Sequence, residues 1–337
     1  MGMTIDHPPK TEELYRLKHS FDETNPITSI RISPDNQYVA LATLNKIKVY
    51  DFNTYKLITE LTGHSKGISD IKFSPINSNI IASCSDDLTI RIWSFQTRNS
   101  SSSTSQCLKI FRKHTYHITT IQFNNKGNLL ISGSADETIT IWDIISGKIL
   151  TTLAAHSDPI SSLVLTPDNS IIISASYDGL IRLFDLESFQ CLKTLTTSTS
   201  HGTATSSLST KDLQNFPVAN VSISPNGKYI LSTNLDGKIR LWNYMDNKVV
   251  KTFVGVDGKP ICEKYNCESR FIISNDGKNL IVSGSDKDGI ICWDIKSKSI
   301  VWNYQDNDAI LSIDSINNGQ YLVSGGLNGV VNIFELN

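Results

Sequence analysis

The sequence has 337 residues, of which 39% are hydrophobic and 19% charged, and its formal net charge is −2. This composition is too apolar for a disordered chain, and it lacks the basic excess typical of a nucleic-acid-binding protein. No apolar run approaches the ~20 residues that span a bilayer, and the first ten residues contain no apolar segment, so we do not expect a secreted protein. The six cysteines form no C-x-x-C pair, which is typical of reduced thiols in a cytosolic or nuclear protein.

A sequence repeat of ~40–45 residues recurs along the chain. The clearest copies span residues 63–94, 113–143 and 155–185. More divergent copies span residues 27–51, 221–243, 271–294 and 311–335. Each clear copy contains a histidine, an apolar alternating run, a turn, a second run ending in Ser-x-Ser-x-Asp, and a third run ending near an aromatic residue. Because the runs are short and none has a helical period, each copy predicts β-strands.

Seven copies predict an all-β, seven-bladed WD40 β-propeller, because a four-stranded sheet buries both faces only by stacking against similar sheets around a ring. The last copy ends after its third strand, so we expect Leu14–Lys18 to supply the fourth strand beside Val331–Leu336. We therefore predict a single propeller over residues 14–337, preceded by a disordered tail over residues 1–13.

Two insertions interrupt the repeat, and both are rich in serine and threonine without apolar periodicity. Thr97–Gln106 separates the third and fourth strands of the second blade, and Ser198–Gln214 separates the fourth blade from the fifth. We predict solvated loops for both, in preference to phosphorylation sites. Cys262 and Cys267 bound the segment CEKYNC at the start of the sixth blade, where we favour a loop over the channel mouth rather than a redox pair.

The repeat also carries polar residues at fixed positions. The aspartate lies in the turn between the second and third strands, where it can accept backbone N–H bonds and orient the histidine. A serine of the second strand and a tryptophan of the third complete a buried polar network. Because this arrangement recurs from blade to blade, whereas catalysis needs one site, we predict a structural role. The residues concerned are His64, Ser83, Asp87, Trp93, His114, Asp136, Trp142, His156, Asp178, Asp236, Trp242, Asp288 and Trp293.

The sequence lacks the common catalytic, phosphate-binding and metal-binding motifs. It contains no G-x-S-x-G, no phosphate-cradling loop and no H-E-x-x-H. We therefore predict no catalytic residue, no metal site and no cofactor, and we interpret the protein as an interaction module rather than an enzyme.

Some segments are more specific than the repeat itself, such as GHSKGISD (63–70), and two of them, QCLKTL (190–195) and SPNGKYIL (224–231), lie outside the generic repeat consensus. Over about residues 26–337 the chain resembles the small propeller subunit of COMPASS-type complexes, which methylate histone H3 lysine 4 through a SET-domain subunit. The resemblance implies a nuclear, non-catalytic scaffold that bridges the SET-domain subunit and a second WD40 subunit. It also implies the histone H3 tail as a further candidate partner, and no direct contact with nucleic acid or membrane. The alternative is a WD40 module of another assembly, such as a ubiquitin-ligase substrate receptor or a transcription-factor complex.

The resemblance implies a first binding surface at the mouth of the central channel. In animal members of the family, an arginine of a partner peptide stacks there between two phenylalanines. Those two positions are Thr119 and Glu268 in this chain, so we expect a weaker or different channel ligand. The residues expected at the channel are Ser69, Asp86, Thr119, Ser161, Tyr177 and Tyr265.

The second implied surface is a groove on the opposite face, between the fifth and sixth blades. In the family it takes a short acidic-hydrophobic segment of the second WD40 subunit. We expect Leu241, Phe271 and Ile273 to form an exposed apolar slot, with polar edges from Asn226 and Tyr229. The alternative is that Phe271 and Ile273 belong to the core between the two blades.

Overall fold

The computed structural model of the chain describes residues 14–98, 102–196, 215–274, 277–306, 308–316 and 319–337. Twenty-eight β-strands in these residues form seven four-stranded antiparallel sheets, which confirms the predicted seven-bladed β-propeller. The described residues include no helix that is both long and apolar enough to span a membrane.

The strands follow one another through the blades in chain order. The chain begins with β1 (Tyr15–Asp22), which belongs to the seventh blade. Blade one comprises β2 (Ile27–Ile32), β3 (Tyr38–Thr43), β4 (Lys46–Asp51) and β5 (Leu57–Thr62). Blade two comprises β6 (Ile68–Ser74), β7 (Asn77–Ser85), β8 (Thr89–Arg98) and β9 (Ser102–Arg112). Blade three comprises β10 (Ile118–Phe123), β11 (Leu129–Ser134), β12 (Thr138–Asp143) and β13 (Ile149–Ala154).

The remaining blades repeat this order. Blade four comprises β14 (Ile160–Leu165), β15 (Ile171–Ser176), β16 (Ile181–Asp185) and β17 (Cys191–Leu195). Blade five comprises β18 (Val218–Ile223), β19 (Tyr229–Asn234), β20 (Lys238–Asn243) and β21 (Lys248–Phe253). Blade six comprises β22 (Ser269–Ile273), β23 (Asn279–Gly284), β24 (Ile290–Asp294) and β25 (Ile300–Tyr304). Blade seven comprises β26 (Ile310–Ile316), β27 (Tyr321–Gly326), β28 (Val330–Leu336) and β1.

The hydrophobic core is divided among the seven interfaces between neighbouring blades, with one apolar cluster in each. Every residue of β3 is buried, because both faces of this inner strand pack against other blades. The outermost strand β13 instead alternates between exposed and half-buried residues. Burial by stacking therefore explains why β3 is a nearly continuous apolar run, whereas no residue of β13 is fully buried.

β1 closes the ring. It pairs antiparallel with β28, from Tyr15 opposite Leu336 to Asp22 opposite Val330, with one irregularity between Leu17 and His19. This register confirms the prediction that an N-terminal strand completes the last blade.

The prediction that Thr97–Gln106 forms a loop is wrong for those residues of the segment that the structure describes. The ladder between β8 and β9 continues from Ser94 opposite Gln106 to Arg98 opposite Ser102. Phe95 anchors the base of this long hairpin, since it is fully buried and packs edge-to-face on Tyr38 at 5.3 Å between ring centroids. The buried anchor extends the ladder into a serine-rich segment that has no apolar pattern. The tail predicted at 1–13 and the loop predicted at 198–214 lie outside the described residues.

Candidate functional site

The structure brings together the polar residues that recur in blades two to four. In blade two, His64 Nδ1 lies 2.8 Å from Asp87 Oδ2, and His64 Nε2 lies 2.7 Å from Ser83 Oγ. The Trp93 indole donates to the same Ser83 oxygen at 2.8 Å. Burial lowers the pKa of His64, and hydrogen bonds from Thr89 and His64 outweigh burial to lower the pKa of Asp87 to about 2. A neutral His64 therefore donates to the Asp87 carboxylate and accepts from the Ser83 hydroxyl.

The same geometry recurs in the next two blades. His114 lies between Asp136 and Ser132 at 2.9 and 2.7 Å, and Trp142 donates to Ser132. His156 lies between Asp178 and Ser174 at 2.9 and 2.8 Å, where Phe184 replaces the tryptophan. All three histidine side chains have no exposed area, so these networks stand inside the blades and face no ligand site.

Blades five and six depart from this pattern. Asp236 pairs with the guanidinium of Arg240 instead of a histidine, although Trp242 still donates to Ser232 at 2.9 Å. The Trp293 indole donates to the backbone carbonyl of Val254 at 3.0 Å. The Asp288 N–H donates to Ser285 Oγ at 3.1 Å. Asp288 and Trp293 are thus separate turn and core residues rather than parts of one network.

The loop of blade six that contains Cys262 and Cys267 borders the channel. Both thiols are buried, and a hydrogen bond with Cys262 together with burial raises the pKa of Cys267 well above its usual value. Thiols in such surroundings are poor nucleophiles. The Asp286 carboxylate, between β23 and β24, accepts the N–H groups of Glu263 and Lys264 in this loop at 2.8 and 2.9 Å, which fixes the loop backbone. The described residues contain no cluster of three or more histidine, cysteine or acidic side chains that could bind a metal ion.

The central channel contains a cavity of 600 Å³, and five of the six residues expected there line it. The hydroxyl of Thr119 donates to the Ile160 carbonyl of the next blade at 2.6 Å. Ser161 likewise donates to Val218 at 2.5 Å. These hydroxyl groups join neighbouring blades, and they are already occupied as hydrogen-bond donors. The sequence did not reveal this role.

The other expected channel residues lie near the mouth. Tyr177 OH accepts a hydrogen bond from the Asn266 side chain at 2.6 Å, which links blade four to the loop of blade six. Tyr265 lines the channel, and the Lys264 ammonium lies 4.9 Å from its ring centroid. Asp86 is exposed and accepts from Ser69 Oγ at 3.4 Å.

Glu268 lies inside the channel, where it forms an ion pair with a residue that sequence reasoning overlooked. Arg31 NH2 donates to Glu268 Oε1 at 2.6 Å and to Asp70 Oδ1 at 2.9 Å. Arg270 lies 3.4 Å from Asp314 in the same lining. The signal in the sequence is the presence of charged residues within the first strand of four blades, among them Arg31, Asp70, Arg270 and Asp314.

The expected groove residues lie together, but not as one exposed slot. Leu241 is only 4% exposed and belongs to the apolar core between blades five and six. Tyr229 and Phe271 are half-buried and pack on that core, and Ile273 is also half-buried. Asn226 is exposed, and its side-chain oxygen accepts from Ser224 and from the N–H of Lys228. The accessible apolar surface therefore comes from Tyr229, Phe271 and Ile273, with Leu241 beneath it.

Exposed lysines occur in the turns of the same two blades. Lys228, Lys278 and Lys296 lie in turns of blades five and six, and all three are exposed. A cavity of 520 Å³ in blade six is lined by Lys278, Lys296, Ile295, Asp294, Gly277 and Asn279, so that two lysines and one aspartate face it. Ile295 packs on the same core as Tyr229 and Phe271, so the cavity adjoins the apolar surface. Half-buried apolar groups next to cations suit a segment that is both apolar and acidic.

Known proteins resemble this chain over most of its length. Residues 19–335 match the family model described as the WDR5 beta-propeller domain. The chain is 33% identical over 314 residues to the COMPASS component SWD3 of Saccharomyces cerevisiae, which covers 90% of this chain and 92% of that protein. It is 27% identical over 274 residues to the nuclear distribution protein nudF of Aspergillus niger, covering 80% and 50%. It is 38% identical over 96 residues to the Polycomb protein EED of Chaetomium thermophilum, covering 28% and 17%.

Proposed function

We propose, on the premise that this chain belongs to the WDR5 β-propeller family, that it is a non-catalytic scaffold subunit of a COMPASS-like histone H3 lysine-4 methyltransferase complex. The observation that carries the proposal is the 33% identity to the COMPASS component SWD3, which extends over 90% of this chain. The likenesses to nudF and EED cover half or less of those proteins, so they support the fold more than a function. A COMPASS-like complex acts on histones, so we also propose a nuclear location.

Within this complex we propose that the subunit bridges a SET-domain subunit and a second WD40 subunit. The groove between blades five and six supports the second contact, because Tyr229 and Phe271 offer apolar area next to exposed Lys228 and Lys296. A short segment with acidic and apolar residues would bury the rings and face the lysines. We propose that the SET-domain subunit contacts the propeller outside this groove.

The proposal is tested by purifying the tagged protein from its native cell and identifying the proteins that co-elute. We expect a SET-domain methyltransferase and a second WD40 protein. Recovery with a ubiquitin ligase or a transcription-factor complex, and without a SET-domain protein, would establish the alternative function instead.

The groove is tested in the same purification with Tyr229→Ala and Lys296→Glu. Both variants are expected to lose the second WD40 protein, because one removes apolar contact area and the other reverses a charge. Leu129→Ala is the matched control, since Leu129 holds in blade three the strand position that Tyr229 holds in blade five, and both are half-buried. An equal loss in the control would place the partner elsewhere.

A further inference from the structure

The central channel contains a guanidinium group that belongs to the chain itself. Arg31, on β2, is only 4% exposed. Its NH1 and NH2 groups donate to the two carboxylate oxygens of Glu268 at 2.9 and 2.6 Å. NH2 also donates to Asp70 at 2.9 Å, and NH1 donates to Ser312 Oγ at 2.9 Å. Proteins bind an arginine ligand in the same way, through a bidentate ion pair with one carboxylate and a further hydrogen bond to a second carboxylate.

The carboxylate that faces Arg31 is positioned by groups other than Arg31. Glu268 Oε2 accepts from the Ser312 hydroxyl at 2.6 Å and from the Ile313 N–H at 3.1 Å. The Glu268 N–H donates to the Leu311 carbonyl at 3.0 Å. Blade seven therefore fixes both the backbone and the side chain of Glu268. The acceptor half of the site is preorganised, and it would persist without the arginine.

Asp70 is held in a similar way by groups of blades one and two. Its Oδ1 accepts from the Ser29 hydroxyl at 3.0 Å and from the Ile71 N–H at 2.9 Å. Lys72 also lies 3.2 Å from this carboxylate. Arg31 thus joins blade one to carboxylates of blades two and six.

The carboxylates of the described channel lining are all paired within it, and the lining has one more cationic than acidic residue. The acidic residues of the described lining are Asp70, Glu268 and Asp314, and each is paired with an arginine. The cationic residues of that lining are Arg31, Lys72, Lys264 and Arg270. Burial opposes the ionisation of Glu268, but Arg31, Arg270 and Lys72 hold its pKa well below the usual range. A cationic side chain that enters from a partner therefore meets cations and finds each of these carboxylates already paired.

We propose that the channel is a guanidinium-binding site that the chain's own Arg31 occupies, and that Glu268 and Asp70 are its acceptors. The site takes an arginine or an alkylguanidinium only when Arg31 is removed. Intact, the channel discriminates against partners that present a cationic side chain to it. This inference does not rest on the proposed function, because it concerns the channel alone.

The test removes the internal ligand with Arg31→Ala and supplies methylguanidinium as the probe. At ~10 mM probe and a Kd of ~1 mM, the folding equilibrium constant rises about tenfold. For a chain of this size that is a rise in Tm of about 1–3 °C by differential scanning calorimetry. Methylammonium at the same concentration is the control, and it is expected to give no rise because it lacks the planar fork. Wild-type protein is expected to respond to neither compound.

A second variant tests the acceptors. Arg31→Ala combined with Glu268→Gln is expected to lose the response to methylguanidinium, since the amide cannot accept both N–H groups. A rise in the Tm of wild-type protein equal to that of Arg31→Ala would overturn the proposal. So would a folded Arg31→Ala protein that responds to neither probe. If Arg31→Ala does not fold unaided, refolding yield replaces Tm: recovery in methylguanidinium alone supports the proposal, and equal yields in the two probes overturn it.

Discussion

Truncation of Tyr15 tests how strongly the N-terminal strand closes the ring. The Tyr15 side chain is 2% exposed, its ring lies 5.1 Å from that of Trp302, and its hydroxyl donates to the Gly319 carbonyl at 2.6 Å. The next residue, Arg16, is exposed on the same strand. Tyr15 is therefore the main apolar anchor at the start of β1, and Tyr15→Ala removes this anchor while leaving the backbone ladder in place.

The expected loss follows from this burial. Truncating a buried aromatic side chain to alanine costs ~3–5 kcal/mol of unfolding free energy. At ~2.1 cal/mol/K of unfolding entropy per residue, a loss of ~4 kcal/mol in a chain of 337 residues lowers Tm by about 6 °C. Tyr15→Phe keeps the ring and loses only the hydrogen bond, so we expect a loss of ~0.5–1.5 kcal/mol, or about 1–2 °C.

Differential scanning calorimetry of the three proteins measures these differences, with Arg16→Ala as the control. The control is expected to stay within ~0.5 kcal/mol of wild type, because surface substitutions rarely exceed this. If Tyr15→Ala melts within a degree of Arg16→Ala, the anchor is not required for ring closure and the reasoning fails.

Three further predictions concern the blades. Because burial lowers the folded pKa of His64 below its unfolded value, the unfolded state binds more protons in acid. Tm is expected to fall as the pH drops from 7 to 5, less steeply in His64→Gln, and a flat wild-type profile would contradict this. Lys251 donates to two backbone carbonyls of blade six at 2.6 and 2.9 Å. Lys251→Met is therefore expected to lower the unfolding free energy by ~1–3 kcal/mol, as measured by urea unfolding. The control Lys248→Met, at an exposed position, is expected to change it by almost nothing. Leu241→Ala is expected to lower the unfolding free energy by ~2–5 kcal/mol. It should lower Tm more than Tyr229→Ala does, because only Leu241 is fully in the core. Equal shifts in Tm would refute this assignment.

The architecture could be predicted from the sequence because each blade encodes itself locally. The turn aspartate, the preceding histidine and the apolar runs lie within about thirty residues of one another, as His64 and Asp87 do. Their repetition fixes the number of blades, and the incomplete last copy predicts the pairing of β1 with β28. Local patterns sufficed because every sheet is made of consecutive strands apart from the one that closes the ring.

The candidate site could be predicted only in part, because its decisive contacts join distant parts of the chain. Arg31 and Glu268 are 237 residues apart, and neither belongs to the repeat pattern. Leu241 was expected at the surface from its place in the groove, but the approach of blade six buries it. The long hairpin of β8 and β9 depends on the buried anchor Phe95 rather than on the polar residues that follow it.

Residue type at a predicted binding position does not reveal whether its polar atoms can reach a partner. Thr119 and Ser161 face the channel, yet their hydroxyl groups donate to the next blade. The inner strands converge on the axis, so polar side chains there find partners on neighbouring blades, and each pairing leaves one group fewer for a ligand. Specificity is therefore expected at the turns of blades five and six, where Lys228 and Lys296 are exposed and Tyr229 is half-buried. On this reasoning we expect the propeller to hold its ring together through residues near the axis and to bind other proteins through such turns.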